Sequence, residues 1–213
     1  MSTNPHILVL GIGNLLWADE GFGVRAVEHL QRHYRFPENV TLLDGGTQGM
    51  NLVAPVQAAD VVVVLDAVDY GEAPGTLCQV ADEDVPSFMG VRKMSLHQTG
   101  FQEVLAGVEL LGDYPDHLLL VGVQPAVLED YGGSLSESVR AQIEPATQAV
   151  LDYLSHWGIQ PEPRRYGVRP EETSMPDGAL DLSRYEAGRP APEEAWRHGD
   201  PRFFHGVGGT DNR

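Results

Sequence analysis

Gly11-Ile12-Gly13-Asn14-Leu15-Leu16-Trp17-Ala18-Asp19-Glu20-Gly21 follows an apolar run over residues 6–10 and leads into a segment of helical period. A stretch of this kind is a strand-to-helix turn. Such turns gather at the carboxyl edge of α/β sheets, where ligands and chemistry collect. A dinucleotide fingerprint, Gly-x-Gly-x-x-Gly, would put its third glycine where Leu16 stands. Asp19 and Glu20 follow instead, and two carboxylates beside a bound phosphate would repel it. The loop suits a cation.

Outward from this turn, apolar runs recur at residues 40–43, 61–65 and 118–123, with a weaker one at 75–80. Val61-Val62-Val63-Val64-Leu65 is continuous rather than alternating, the pattern of a strand covered on both faces. Between the runs, Val24, Val27, Leu30 and Tyr34 fall on one helical face, as do Phe101, Val104, Leu105 and Val108. Val139, Ile143, Ala146, Val150, Tyr153 and Trp157 recur at three- and four-residue steps, and Pro145 is expected to start or kink that helix. Strand alternating with helix predicts an α/β fold, three-layer α/β/α with a mostly parallel twisted sheet. One domain is expected over residues 1–160, followed by a Pro-rich C-terminal extension over 161–213 that holds seven of the fifteen prolines. Within the extension, Leu180-Asp181-Leu182-Ser183-Arg184-Tyr185-Glu186 mixes polar and apolar residues and is expected to dock on the core or on a partner.

Charge narrows the function classes. The chain of 213 residues carries a net charge of -17. Residues 1–160 hold 21 acids against 6 bases, which is no footprint for a nucleic-acid backbone. No apolar run approaches the roughly 20 residues of a membrane span, and residues 1–5 lack a secretory signal. The single cysteine, Cys78, excludes an intramolecular disulfide and a multi-cysteine metal site. A cytoplasmic protein with no nucleic-acid or membrane partner is expected.

The acidic residues fall at informative points. Glu20 lies in the first turn, Asp44 ends the second apolar run and Asp66 ends the third, so all three belong at the carboxyl edge. Asp66 emerges from five branched apolar residues; it either caps the next turn or does chemistry. Ser95-Leu96-His97-Gln98 has the form of a capping box, which puts His97 in a first helical turn, where the helix dipole favours a neutral imidazole. Glu20, Asp66 and His97 converging on one cleft could hold zinc, nickel or cobalt, or act as a general acid–base set without metal. Asp44-Gly45-Gly46-Thr47 is either a tight connection or a bare backbone groove for an extended peptide. Cys78 sits in a strand pattern with no adjacent base and reads as structural. Neither a Gly-x-Ser-x-Gly elbow nor a His-Glu-x-x-His helix occurs.

Taken in order, Gly11-Ile12-Gly13-Asn14 with Asp19-Glu20, then Asp44-Gly45-Gly46-Thr47, Asp66-Ala67, Ser95-Leu96-His97-Gln98 and Leu120-Val121-Gly122-Val123-Gln124-Pro125 resemble the [NiFe]-hydrogenase maturation endopeptidases over residues 5–160. Asp130-Tyr131-Gly132-Gly133-Ser134-Leu135-Ser136 and the extension are most similar to the branch serving uptake hydrogenases. The resemblance implies an endopeptidase, carboxylate-assisted (aspartic-type) or metal-assisted, that removes the C-terminal peptide of the hydrogenase large-subunit precursor. It implies that Glu20, Asp66 and His97 contact nickel carried by that precursor, with Asp66 and Glu20 catalytic and no organic cofactor. The extension departs from the many members that stop after the last core helix.

Two other readings start from the same glycine loop. A hydrolase resembling peptidyl-tRNA hydrolase shares the Gly-x-Gly-Asn opening but needs a basic RNA groove, which this acidic core lacks. A non-enzymatic nucleotide-binding module is disfavoured by Leu16 and the acidic pair.

Overall fold

The computed structural model describes residues 4–90, 96–164 and 182–189, and over 96–100 the backbone alone. In chain order the elements are β1 (Ile7–Ile12), a 3-10 turn (Ala18–Gly21), α1 (Phe22–His33), β2 (Tyr34–Arg35) and β3 (Val40–Gly46). A second 3-10 turn (Gly49–Leu52) runs into α2 (Val53–Gln57), followed by β4 (Val61–Ala67), β5 (Leu77–Ala81), α3 (Asp84–Gly90) and α4 (Leu96–Leu111). The core ends with β6 (His117–Val123), α5 (Glu137–Arg140) and α6 (Ile143–His156); β7 (Glu162–Pro163) and α7 (Leu182–Gly188) belong to the extension.

The main sheet has the order β3-β1-β4-β6-β5. Four strands are parallel, and β5 joins the β6 edge antiparallel. This is the expected mostly parallel sheet, with the 75–80 run at an edge. Alternation along each strand splits the core in two. Val9, Val61, Val63, Leu65 and Val121 pack with Phe22, Ala26, Val27 and Leu30 of α1 and with Ala146 and Val150 of α6. Leu8, Leu10, Val62, Val64 and Leu120 pack with Val56 of α2 and with Phe101, Val104 and Val108 of α4. Every residue of Val61–Leu65 is fully buried, as a strand between two helical layers must be.

Two helical expectations change. Tyr34 does not continue α1: it enters β2 and pairs with Pro163, drawn off the helix by the returning chain. The pattern from Val139 to Trp157 is two helices, because α5 ends at Arg140 and α6 begins at Ile143. Pro145 is the third residue of α6, inside the first turn, where its missing N–H has no helical partner to lose.

One main-chain contact sets the position of the first turn. A Cβ added to Gly23 would lie 2.1 Å from the Leu65 carbonyl oxygen and 2.4 Å from that of Ile12. A Cβ on Gly11 would lie 2.4 Å from the Gly23 carbonyl oxygen. The start of α1 therefore rests directly on the backbones of β1 and β4. Gly23→Ala is expected to cost about 3 kcal/mol, because backbone carbonyls cannot swing aside as side chains do. Urea unfolding at an unchanged m-value checks it; a loss below about 1 kcal/mol would contradict the contact.

Candidate active site

From β1 the chain turns to β3 on one side, then crosses back to β4 on the other. The carboxyl edge between β1 and β4 is thus the topological switch point, where open α/β sheets form a crevice. Glu20 comes to this point from the 3-10 turn, which packs against β4 and leaves Glu20 half-buried. Asp66 comes to it as the penultimate residue of β4, fully buried and opposite Gly122 of β6. Its Oδ1 accepts the Ala67 N–H at 2.8 Å. A carboxylate that deep at a strand end holds the backbone of the turn that follows.

Asp66 shares its strand face with Val62 and Val64, the face covered by α4. The connection 112–116 is short, so the C-terminus of α4 lies near the start of β6 at the amino edge. Sixteen residues at about 1.5 Å each carry α4 about 24 Å back, which sets its first turn at the carboxyl edge. His97 belongs to that turn, as expected. Its side chain, like Ser95 of the capping box, lies outside the described residues. Among the described residues no three His, Cys, Asp or Glu side chains form a metal group.

Asp44 goes elsewhere. It lies inside β3, and its neighbours in the pattern, Val40 and Leu42, pack on the α1 side. Burial pushes its carboxyl above the ordinary value, with the Gly46 backbone and Arg25 of α1 pulling the other way. Its Oδ1 is buried with no hydrogen-bond partner among the described residues. Gly45, Gly46 and Thr47 follow beside the first loop, tied by the Gly13 N–H to the Gly46 carbonyl at 3.0 Å. Asp44 therefore flanks β1 on the side away from Asp66. The folded state holds the Asp44 proton more tightly than the unfolded chain, so its contribution to stability falls as pH rises from about 4 through the raised value. Asp44→Asn is expected to melt higher than wild type at pH 7, with the gap closing as pH drops below about 4. Parallel melting curves across that range would refute this.

The sequence offers Asp19 only as half of an acidic pair; in the structure it accepts four hydrogen bonds. Fully buried, it accepts N–H groups from Ala126 and Val127 at 2.8 Å each and from Ser136 at 2.6 Å. The Ser136 hydroxyl adds a fourth bond at 3.0 Å. Asp19 thereby ties the 124–136 loop to the turn that carries Glu20. The neighbouring Ala18 has a φ of 40°, a conformation that costs a residue with a Cβ on the order of 1 kcal/mol and persists only where its surroundings impose it. Gln124 makes a corresponding tie between the segments that follow β6 and β4. Its Oε1 accepts the N–H groups of Tyr70, Gly71 and Glu72, while its Nε2 donates to Asp69. Asx and amide side chains of this kind are hard to assign from sequence, since the partners of Asp19 lie 107 to 117 residues away.

Cys78 keeps its structural reading. It is a half-buried thiol in β5, so close to Gly122 that an added Cβ there would lie 2.8 Å from Sγ. Burial and the adjacent Cys78 push the Tyr70 phenol up to about 12.

The carboxyl edge thus carries one fully buried carboxylate, Asp66, and one half-buried one, Glu20. A family described as hydrogenase maturation protease matches residues 24–153. The hydrogenase expression/formation protein HupD of Thiocapsa roseopersicina is 59% identical over 96% of this chain and 92% of its own. HupM of Azotobacter chroococcum is 58% identical over 99% of both chains. Among solved structures, the hydrogenase maturating endopeptidase HybD from E. coli is similar with a TM-score of 0.71 and 42% identity. That match takes in 98% of the E. coli chain but 75% of this one. Neither the RNA hydrolase nor the nucleotide-binding reading gains support from these relatives. On the order of its motifs, its sheet and these likenesses together, the chain belongs to the hydrogenase maturation protease family.

Proposed function

We propose that this peptidase removes the C-terminal peptide of a [NiFe]-hydrogenase large-subunit precursor, acting in the cytoplasm on precursor that already carries nickel. The observation that carries the reading is Asp66, a fully buried carboxylate at the carboxyl end of β4, beside the turn that bears Glu20. Glu20, Asp66 and His97 engage the nickel brought by the substrate. Two carboxylates and an imidazole suit a borderline divalent ion and leave coordination positions to the substrate's own ligands. An acidic core with few bases adds a field that favours a cation over an anion. No organic cofactor enters.

The chemistry is peptide hydrolysis. A carboxylate, Asp66 or Glu20, takes a proton from water as the water oxygen bonds to the scissile carbonyl carbon. The C–N bond then breaks, and the proton passes to the departing amine. Nickel held nearby stabilises the charge that develops on the carbonyl oxygen. The Gly45-Gly46-Thr47 stretch lies beside the loop and can accept an extended peptide segment.

The test compares nickel-loaded and nickel-free precursor incubated with the purified protein, with mass spectrometry of the released peptide. Cleavage of the loaded form alone is expected. Equal cleavage of both removes nickel recognition from the reading, and cleavage of neither removes the substrate.

A further inference from the structure

The segment that borders the crevice is held from two sides. From within, Asp19 binds its two ends at Ala126, Val127 and Ser136. From outside, α7 of the extension binds its middle and the helix that follows. The Ser134 hydroxyl donates to Glu186 at 2.6 Å, and both terminal nitrogens of Arg140 donate to the same carboxylate. Arg189 donates to Asp130 at 2.8 Å. At the other side of α7, Tyr185 lies over the buried Arg25 guanidinium of α1, 5.8 Å from ring centroid to Cζ. One seven-residue helix thus spans from α1 to the 124–136 loop.

That loop in turn carries an apolar rim. Its backbone meets the first loop through the Gly132 N–H to the Leu16 carbonyl at 2.7 Å and through bridges from Trp17 to Tyr131 and Gly133. Trp17 and Tyr131 stack edge to face, with centroids 5.4 Å apart. Leu16, Trp17, Val127 and Tyr131 are 37–56% exposed, and they stand beside the turn of Glu20. Bulky apolar groups clustered at a crevice are a binding surface rather than stray exposure.

We propose that α7 is a positioning element for substrate binding: it holds the 124–136 loop, and with it the Leu16–Trp17–Val127–Tyr131 rim, in the shape that grips the precursor. This rests on the peptidase reading above and assigns the extension a place in it. α7 contributes no group to bond cleavage; the ion pairs of Glu186 and Arg189 act through the loop. The effect therefore falls on KM and spares kcat.

The test uses full-length protein and nickel-loaded precursor. Glu186→Arg and Arg140→Glu are each expected to raise KM about fivefold, the scale of a partly exposed ion pair, with kcat within about twofold. The exchanged pair, Arg140→Glu with Glu186→Arg, is expected to return KM to within about twofold of wild type. Arg189→Glu supplies an independent break at Asp130 with the same split. Unchanged KM in Glu186→Arg and Arg189→Glu, or an exchanged pair no better than its single variants, overturns the inference while leaving the peptidase reading intact. Wild-type protein that fails to cut the precursor overturns both.

Discussion

Asp66→Asn and Glu20→Gln are each expected to reduce processing of nickel-loaded precursor by about 100-fold or more, the usual worth of a general base in place. Both substitutions keep size and shape. The asparagine oxygen can still accept the Ala67 N–H that Asp66 Oδ1 accepts at 2.8 Å, so the turn after β4 stays closed. What disappears is the negative charge and the capacity to take a proton. Rates of peptide release by mass spectrometry, set beside thermal melting, separate chemistry from folding. Activity within threefold of wild type at a normal melting temperature would remove that residue from the site. His97→Ala belongs in the same series, since its helical turn reaches the same edge.

The second large effect is structural. Asp19→Ala leaves the N–H groups of Ala126, Val127 and Ser136 without their acceptor in a part-buried setting. Each unsatisfied donor costs about 1–3 kcal/mol, so a loss of about 4 kcal/mol is expected after partial relaxation of the loop. The loss should be accompanied by relaxation of Ala18, whose φ of 40° lies in the turn that these bonds help to pin. Ser136→Ala removes one of the same bonds. Its effect should therefore add less than fully to that of Asp19→Ala in a double-mutant cycle. Urea denaturation gives the values; a loss under about 1 kcal/mol for Asp19→Ala would mean that the loop is held by something else.

What could be read from the chain, and what could not, follows from how far apart the interacting residues lie. Val61–Leu65 declared itself because five adjacent branched side chains can be satisfied only between two layers, and all five are buried. The placement of Glu20 and Asp66 followed from the same local logic, since a residue at the end of a parallel strand has one edge open to it. Tyr34, an aromatic at the right interval, fits the helical stripe of α1 and yet is strand. Its pairing with Pro163 depends on a segment well over a hundred residues later. The Val139–Trp157 periodicity ran through a break at residues 141–142 that hydrophobic spacing does not register.

Asp19 and Gln124 escaped for the same reason. A carboxylate and an amide have no periodicity, and their partners are backbone groups, which every residue possesses. Asp44 was grouped with Asp66 by its position at a strand end. The alternation of side chains along β3 sends it to the α1 layer, beside Arg25. The contact of the extension through Glu186, Arg189 and Tyr185 had only a mixed polar pattern to announce it.

Gly11 and Gly23 have a consequence for how this protein can change. The spacing between the Glu20 turn and the strand of Asp66 is transmitted at Gly11 and Gly23 by main-chain atoms, the carbonyl oxygens of Ile12, Gly23 and Leu65 among them. Substituting one core aliphatic for another can loosen or tighten the helical layers without moving those atoms. The spacing of Glu20 and Asp66 is thereby insulated from drift in the interior, and a variant with a repacked interior but both glycines kept should retain its cleavage rate.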